Sequence, residues 1–294
     1  MDGDRLIYGA ENGLSRRAAL GVPVALGSTF ALAVQPVQAQ TMIVTPTDGL
    51  TAGAVQVKTK DGKDMDAYRA MPASGQGFGT ILVVQEIFGV HAHIADMCRR
   101  FATAGYYAIA PELYFRQGDA KTYTEIPKLI AEVVSKVPDE QVMGDLDSAV
   151  AFAKSEGKAD TAKLGITGFC WGGRIVWMYD AHNPAVKAGV AWYGPLVRPG
   201  TELQPKNPID LVKDLHGPVL GLYGGADTGI SQESVDKMTD ALKTGSPAAQ
   251  KSRIDVYPDT PHAFNADYRP SYRKDQAEDG WKKALAWFKA NGVS

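Results

Sequence analysis

The sequence predicts one α/β domain, a mainly parallel sheet with helices on both faces, and three observations predict it. The first is a series of apolar runs of strand length: "TILVVQ" (80–85), "YYAIAP" (106–111), "KLGITG" (163–168), "VKAGVAWYG" (186–194), "PVLGLYG" (218–224) and "SRIDVYP" (252–258). Strands that are apolar throughout are covered on both sides, as in a parallel sheet between helical layers. The second is that helix-period segments separate most of these runs. The third is that no internal repeat, low-complexity stretch or Pro/Gly-rich linker follows residue 50, which leaves a single domain over residues 40–294.

Along the chain, residues 1–39 read differently from the rest. "LSRRAALGVPVALGSTFALAVQPVQAQ" carries Ser15-Arg16-Arg17, a modestly apolar stretch from Ala18 to Val34, and Val37-Gln38-Ala39 as a small-residue cleavage site. This is the pattern of a twin-arginine export signal cleaved after Ala39, with the export machinery as partner and a periplasmic mature protein. Gly21, Pro23, Gly27, Ser28 and Thr29 make the stretch too weakly hydrophobic for a membrane span. "GAVQVKT" and "MDAYRAM" then form a hairpin around "KDGKD". Residues 91–104 are helical and end at Gly105, and a second helix runs from Pro138 with Val142, Leu146 and Val150 on one face. The last helix turns Trp281, Leu285 and Phe288 toward the core.

The chain has 294 residues, 45% hydrophobic and 22% charged, with a formal net charge of −2. That balance gives no basic stripe for nucleic acid and points to small-molecule partners. Nothing calls for a cofactor. His91 and His93 resemble a metal pair only on paper, because residues two apart on a helix do not share a face. Of the two cysteines, Cys98 recurs with Ile94, Met97 and Phe101 at helical spacing and reads as core, which leaves Cys170 a free thiol.

Cys170 stands in "KLGITGFCWGG", a strand running into Gly168-x-Cys170-x-Gly172-Gly173 with a helical stretch behind it. This is a nucleophile elbow, with cysteine where serine is usual. The thiol sits at a helix N-terminus, where thiolate is favoured; the alternative is a tight turn that tolerates a buried cysteine. In this architecture acid and base follow the nucleophile in chain order, each after a strand. Asp227 in "VLGLYGGADTGIS" and His262 in "IDVYPDTPHAFN" fall in those places. His262 would move the thiol proton and Asp227 would fix its tautomer. The oxyanion would be met by the Trp171 N–H and by one N–H from the earlier loop "QEIFGV". Glu86 in that loop directly follows an apolar strand and is not expected in the core, because an unpaired carboxylate is costly to bury; the alternative to a functional group is a solvated loop residue.

"QEIFGV", "PELYFRQG", "GFCWGG", "AWYG", "GGADTGI" and "YPDTPHAFNADYRPSY", in this order over roughly residues 50 to 290, resemble the dienelactone hydrolase (carboxymethylenebutenolidase) family. The resemblance implies an α/β-hydrolase fold and hydrolysis of an enol-lactone by a cysteine nucleophile. It implies Cys170 as nucleophile, His262 as base, Asp227 as acid and Ile87 as the second oxyanion donor. It further implies that Glu86 holds the neutral thiol and takes its proton when substrate displaces it. The family's substrate carries a carboxylate, so cations should line the pocket, and Arg116 matches one of them. The type member's second arginine falls where this chain has Ala266; Arg269 either reaches in instead or caps the last helix. Tyr193 and Trp171 read as pocket wall, with packing as the alternative for Trp171. A thiol esterase of another small ester would use the same residues. A non-catalytic binding protein would need a broken triad, and a thiol-disulfide exchanger a nearby second cysteine.

Overall fold

The computed structural model describes residues 41–294. The export-signal reading of residues 1–39 lies outside them. The apolar runs become an eight-stranded sheet: β1 (Leu50–Lys58), β2 (Asp64–Pro72), β3 (Phe78–Val84), β4 (Tyr107–Pro111), β5 (Ala159–Phe169), β6 (Val186–Trp192), β7 (Val219–Gly224) and β8 (Arg253–Tyr257). Their order is β1-β2-β4-β3-β5-β6-β7-β8, with β1–β2 and β2–β4 antiparallel and the other neighbours parallel, consistent with the α/β-hydrolase fold. β4 and most of β3, β6 and β7 are buried throughout, which explains why they read as unbroken apolar runs rather than alternating ones.

Right-handed crossovers decide which face each helix covers. The connection from β3 to β4 runs in one direction across the sheet, and those from β4 through β5 to β6 run in the other. α1 (Ala92–Thr103) therefore covers one face, joined there by the last helix, Lys274–Ala290, through Phe101 against Trp281 and Phe288. The long helix Asp139–Ser155 and the helix Trp171–His182 share the opposite face, clamped by a bidentate pair between Arg174 and Asp139 with both contacts at 2.7 Å. Gly105 ends α1 at φ 95°, and Cys98 is fully buried, where desolvation pushes its thiol far up. Among the described residues no helix is long and apolar enough to cross a membrane. The parallel strands β3 to β8 all point their carboxyl ends to one edge, and the loops there carry the candidate chemistry.

Candidate active site

β5 passes into the helix Trp171–His182 through a single residue, Cys170, at φ 55° and ψ −117°. A residue with a Cβ is strained there by about 1–3 kcal/mol, so the turn is held by its surroundings. The flanking glycines show how. A Cβ on Gly168 would stand 2.3 Å from the Gly172 carbonyl oxygen, one on Gly172 2.4 Å from that of Gln85, and one on Gly173 2.5 Å from that of Trp192. The first turn of the helix is thus pressed against the ends of β3 and β6. Among the described residues, neither the Ile87 nor the Trp171 amide N–H donates to an acceptor. Two open N–H groups flanking this contact, at the positive end of a helix, suit a developing oxyanion.

Asp227 follows β7 and is buried. Its Oδ1 accepts from the Gly229 and Ile230 N–H groups at 2.8 and 3.1 Å, and its Oδ2 lies 2.6 Å from His262 Nδ1. The two loops are tied by Gly225 N to Tyr257 O at 2.8 Å and Ala226 N to Thr260 O at 3.0 Å. With Nδ1 engaged by Asp227, Nε2 is left for the nucleophile. Burial pulls the His262 pKa down, but negative charge on Cys170 and the Asp227 carboxylate outweigh it and raise it to about 10. The imidazole therefore carries its extra proton at neutral pH beside Cys170. Tyr193, at φ 39° just past β6, sets its ring edge against His262 at 5.1 Å, and its buried hydroxyl has no partner.

Glu86 departs from expectation. Its carboxylate does not hydrogen-bond Cys170; Oε2 accepts from the Tyr268 hydroxyl at 2.6 Å and from His91 Nε2 at 3.2 Å. His91 is not within the helix but is its N-cap, with extended backbone, and its Nδ1 accepts the His93 N–H at 3.3 Å. That bond assigns the ring proton to Nε2, which then donates to Glu86. Burial drives His91 down to about 4, so the ring is neutral at pH 7. Burial alone would raise Glu86, but its contact with His91, the nearby His93 and the Tyr268 hydrogen bond together prevail and hold it at about 2. The carboxylate expected to hold the thiol is instead an ionised group fixed by two buried donors. Because His91 precedes the helix, its ring and that of His93 lie nearly parallel, with centroids 6.1 Å apart, which corrects the reading that they cannot share a side.

The two candidate arginines also separate. Arg116 grips Asp145 at 2.6 and 2.9 Å and Asp61 at 2.8 and 3.2 Å, so its charge is taken by the long helix and by the turn of the β1–β2 hairpin. This corrects the expectation of a cation facing an anionic substrate. Arg269 does not cap the last helix, whose N-cap is Arg273. Its guanidinium sits 5.3 Å from the Phe88 ring centroid and pairs with no carboxylate among the described residues. Its charge reaches His91, Tyr193 and Tyr268, each otherwise dominated by burial. Ala266 is fully buried. The loop from His262 to Arg269 is anchored on α1, where Asp267 bonds Arg100 and lies 3.4 Å from His93.

Sequence reasoning missed Tyr268, Tyr114 and Gln85 around this site. The quoted motifs "NADYRPSY", "PELYFRQG" and "QEIFGV" contain all three, but nothing local distinguishes them from wall residues.

The chain is similar to known proteins of one family. Residues 65–292 match the model described as the Dienelactone hydrolase family. The chain is 60% identical over 294 residues to a Methylorubrum extorquens protein assigned as a carboxymethylenebutenolidase, covering 100% of this chain and 99% of that one. A Salmonella typhimurium protein of the same assignment is 53% identical over 266 residues, covering 90% and 96%. A crystal structure from Klebsiella pneumoniae, assigned as a dienelactone hydrolase, matches with TM-score 0.78 and 52% identity over 82% of this chain and 98% of that one.

Proposed function

The chain belongs to the dienelactone hydrolase family and is a carboxylic ester hydrolase, and from that premise we propose that it opens an enol-lactone, or a related small ester bearing a carboxylate, with Cys170 as nucleophile. The observation that carries this is the strained Cys170 turn facing a histidine held by Asp227 at 2.6 Å. The Cys170 sulfur attacks the carbonyl carbon, and the oxygen that becomes negative is met by the Ile87 and Trp171 N–H groups. The carbon–oxygen bond then breaks, and His262 gives its proton to the leaving enol oxygen. Water adds to the thioester while His262 takes its proton; the carbon–sulfur bond breaks, releasing the acid and restoring Cys170. Asp227 keeps the imidazole oriented throughout.

Arg269 is the group proposed to receive the substrate carboxylate, supported by its having no carboxylate partner among the described residues and its place beside Phe88, one residue from the proposed oxyanion loop donor. Glu86 is held apart from this role by Tyr268 and His91. The competing reading is a thiol esterase without charge preference. Hydrolysis of a carboxylate-bearing dienelactone and of neutral 4-nitrophenyl acetate, by wild type and Cys170→Ala, separates them. Preference for the charged lactone with loss of both activities in the variant supports the proposal; preference for the neutral ester keeps the machinery and removes the substrate class.

Residues 1–39 are proposed to direct export to the periplasm, supported by Arg16-Arg17 and the small residues before Gln40. Replacing both arginines with lysine is expected to leave uncleaved protein in the cytoplasm, read by fractionation and N-terminal sequencing.

A further inference from the structure

Tyr114 stands in the loop after β4 and is fully buried, with its ring edge-on to Trp171 at 5.0 Å between centroids. Among the described residues its hydroxyl is closed to solvent and makes no well-formed hydrogen bond, and Gln85 is the side chain that faces it. Beside it, Gln85 accepts the Leu113 N–H on Oε1 at 3.1 Å, which leaves its own buried Nε2 as a second donor facing the Tyr114 oxygen outside good hydrogen-bond geometry. The Trp171 indole N–H is a third. Buried polar groups are nearly always partnered, and one left unpaired costs about 1–3 kcal/mol. Three such donors gather here from the end of β3, the loop after β4 and the residue following Cys170. A donor cluster kept at a cost to stability implies an acceptor that the resting fold leaves unpaired. After burial, the strongest influence on Tyr114 is the negative charge of Cys170.

We propose that Tyr114 is a positioning residue for the nucleophile, its buried hydroxyl dipole held toward the negative charge of the Cys170 sulfur. This rests on the reading of Cys170 as nucleophile. It adds a donor from the loop after β4 to the one that His262 supplies from the loop after β8. The other groups facing the site are Tyr193 past β6, the carboxylate of Glu86 past β3, and Glu112 in the loop of Tyr114 itself. Glu112 is buried, and desolvation raises it. Because Tyr114 is fully buried, its dipole need not reorganise as charge forms.

The test is Tyr114→Phe in the full protein, which keeps the ring against Trp171 and deletes only the hydroxyl. The probe is iodoacetamide, with alkylation of the Cys170 peptide followed by mass spectrometry from pH 5 to 9. Cys98 stays silent because burial holds it protonated. The expected result is an alkylation midpoint moved up by about one pH unit and a rate at pH 6 about tenfold lower, as for loss of a donor to an ionised group. The thermal midpoint should not fall, since the change removes an unpaired buried group. An unchanged pH profile overturns the proposal, and so does a lowered thermal midpoint, which would mark the hydroxyl as structural. If wild-type Cys170 resists iodoacetamide across the whole range, the nucleophile reading itself fails, an outcome distinct from a reactive cysteine indifferent to Tyr114.

Discussion

Two regions of this molecule are rich in polar groups, and they handle them in opposite ways. Around Arg116, each charge has a counter-charge: Asp145 and Asp61 hold the guanidinium, and Lys60 bonds Asp147 at 2.8 Å nearby. Around Cys170 the polar groups are left short. Among the described residues, Tyr114, Tyr193, Trp171 and Gln85 have donors without a well-placed acceptor, Arg269 pairs with no carboxylate, and Cys170 and Tyr193 sit at positive φ. Satisfied charges hold a structure together; unsatisfied ones wait for a ligand or a reaction. Substitutions in the first region should therefore cost stability and spare activity, and those in the second should do the reverse.

The largest expected effect lies in the second region. Asp227→Asn should lower kcat by about 10⁴-fold, because His262 loses the partner that fixes its tautomer. Its thermal midpoint should change far less than its rate, and steady-state kinetics beside thermal unfolding read both. Arg269→Gln is expected to lower kcat/KM for the carboxylate-bearing lactone about 10- to 100-fold, the worth of a hydrogen bond to a charged group, and to leave 4-nitrophenyl acetate unaffected. Arg116→Gln should give the mirror image: a loss of about 1.5–3 kcal/mol in urea unfolding as Asp145 loses its partner, with the ratio of the two substrates unchanged. A shift in that ratio would erase the contrast between the regions.

The smallest effects are in pH. Glu86 is lowered to about 2 from 4.5 and His91 to about 4 from 6.5, so both contribute stability that is full above their unfolded values and is lost as pH falls through the folded ones. The acid limb of the thermal midpoint should accordingly be shallower in Glu86→Gln. His262, raised from 6.5 to about 10, acts oppositely: its contribution is full below 6.5 and is lost as pH rises through about 10. His262→Gln should flatten that alkaline limb.

The sheet and the positions of Cys170, Asp227 and His262 were legible because each is fixed locally: a strand ends, and the next residues carry the group. The partners of those groups were not. Arg116 matches a substrate-binding arginine by motif, yet its role here is decided by Asp61, 55 residues earlier in a hairpin turn, and by Asp145, 29 residues later on a helix. Glu86 was expected outside the core because an unpaired carboxylate is costly to bury; it is buried, and Tyr268, the donor that makes this possible, lies 182 residues away and leaves no local trace. His91 was misjudged for a smaller reason. Placing the helix boundary one residue early put an N-cap side chain on a helical face it never occupies.

The central claim is that the Cys170 sulfur forms a bond to the acyl group. The most direct measurement is to quench the protein with acid during turnover of 4-nitrophenyl acetate, digest it, and weigh the peptide that contains Cys170. An acetyl increment on that peptide, absent when His262 is replaced by Ala and turnover is slow to begin, is the expected result. Full turnover by Cys170→Ala, with no acyl group on the wild-type peptide, would contradict it.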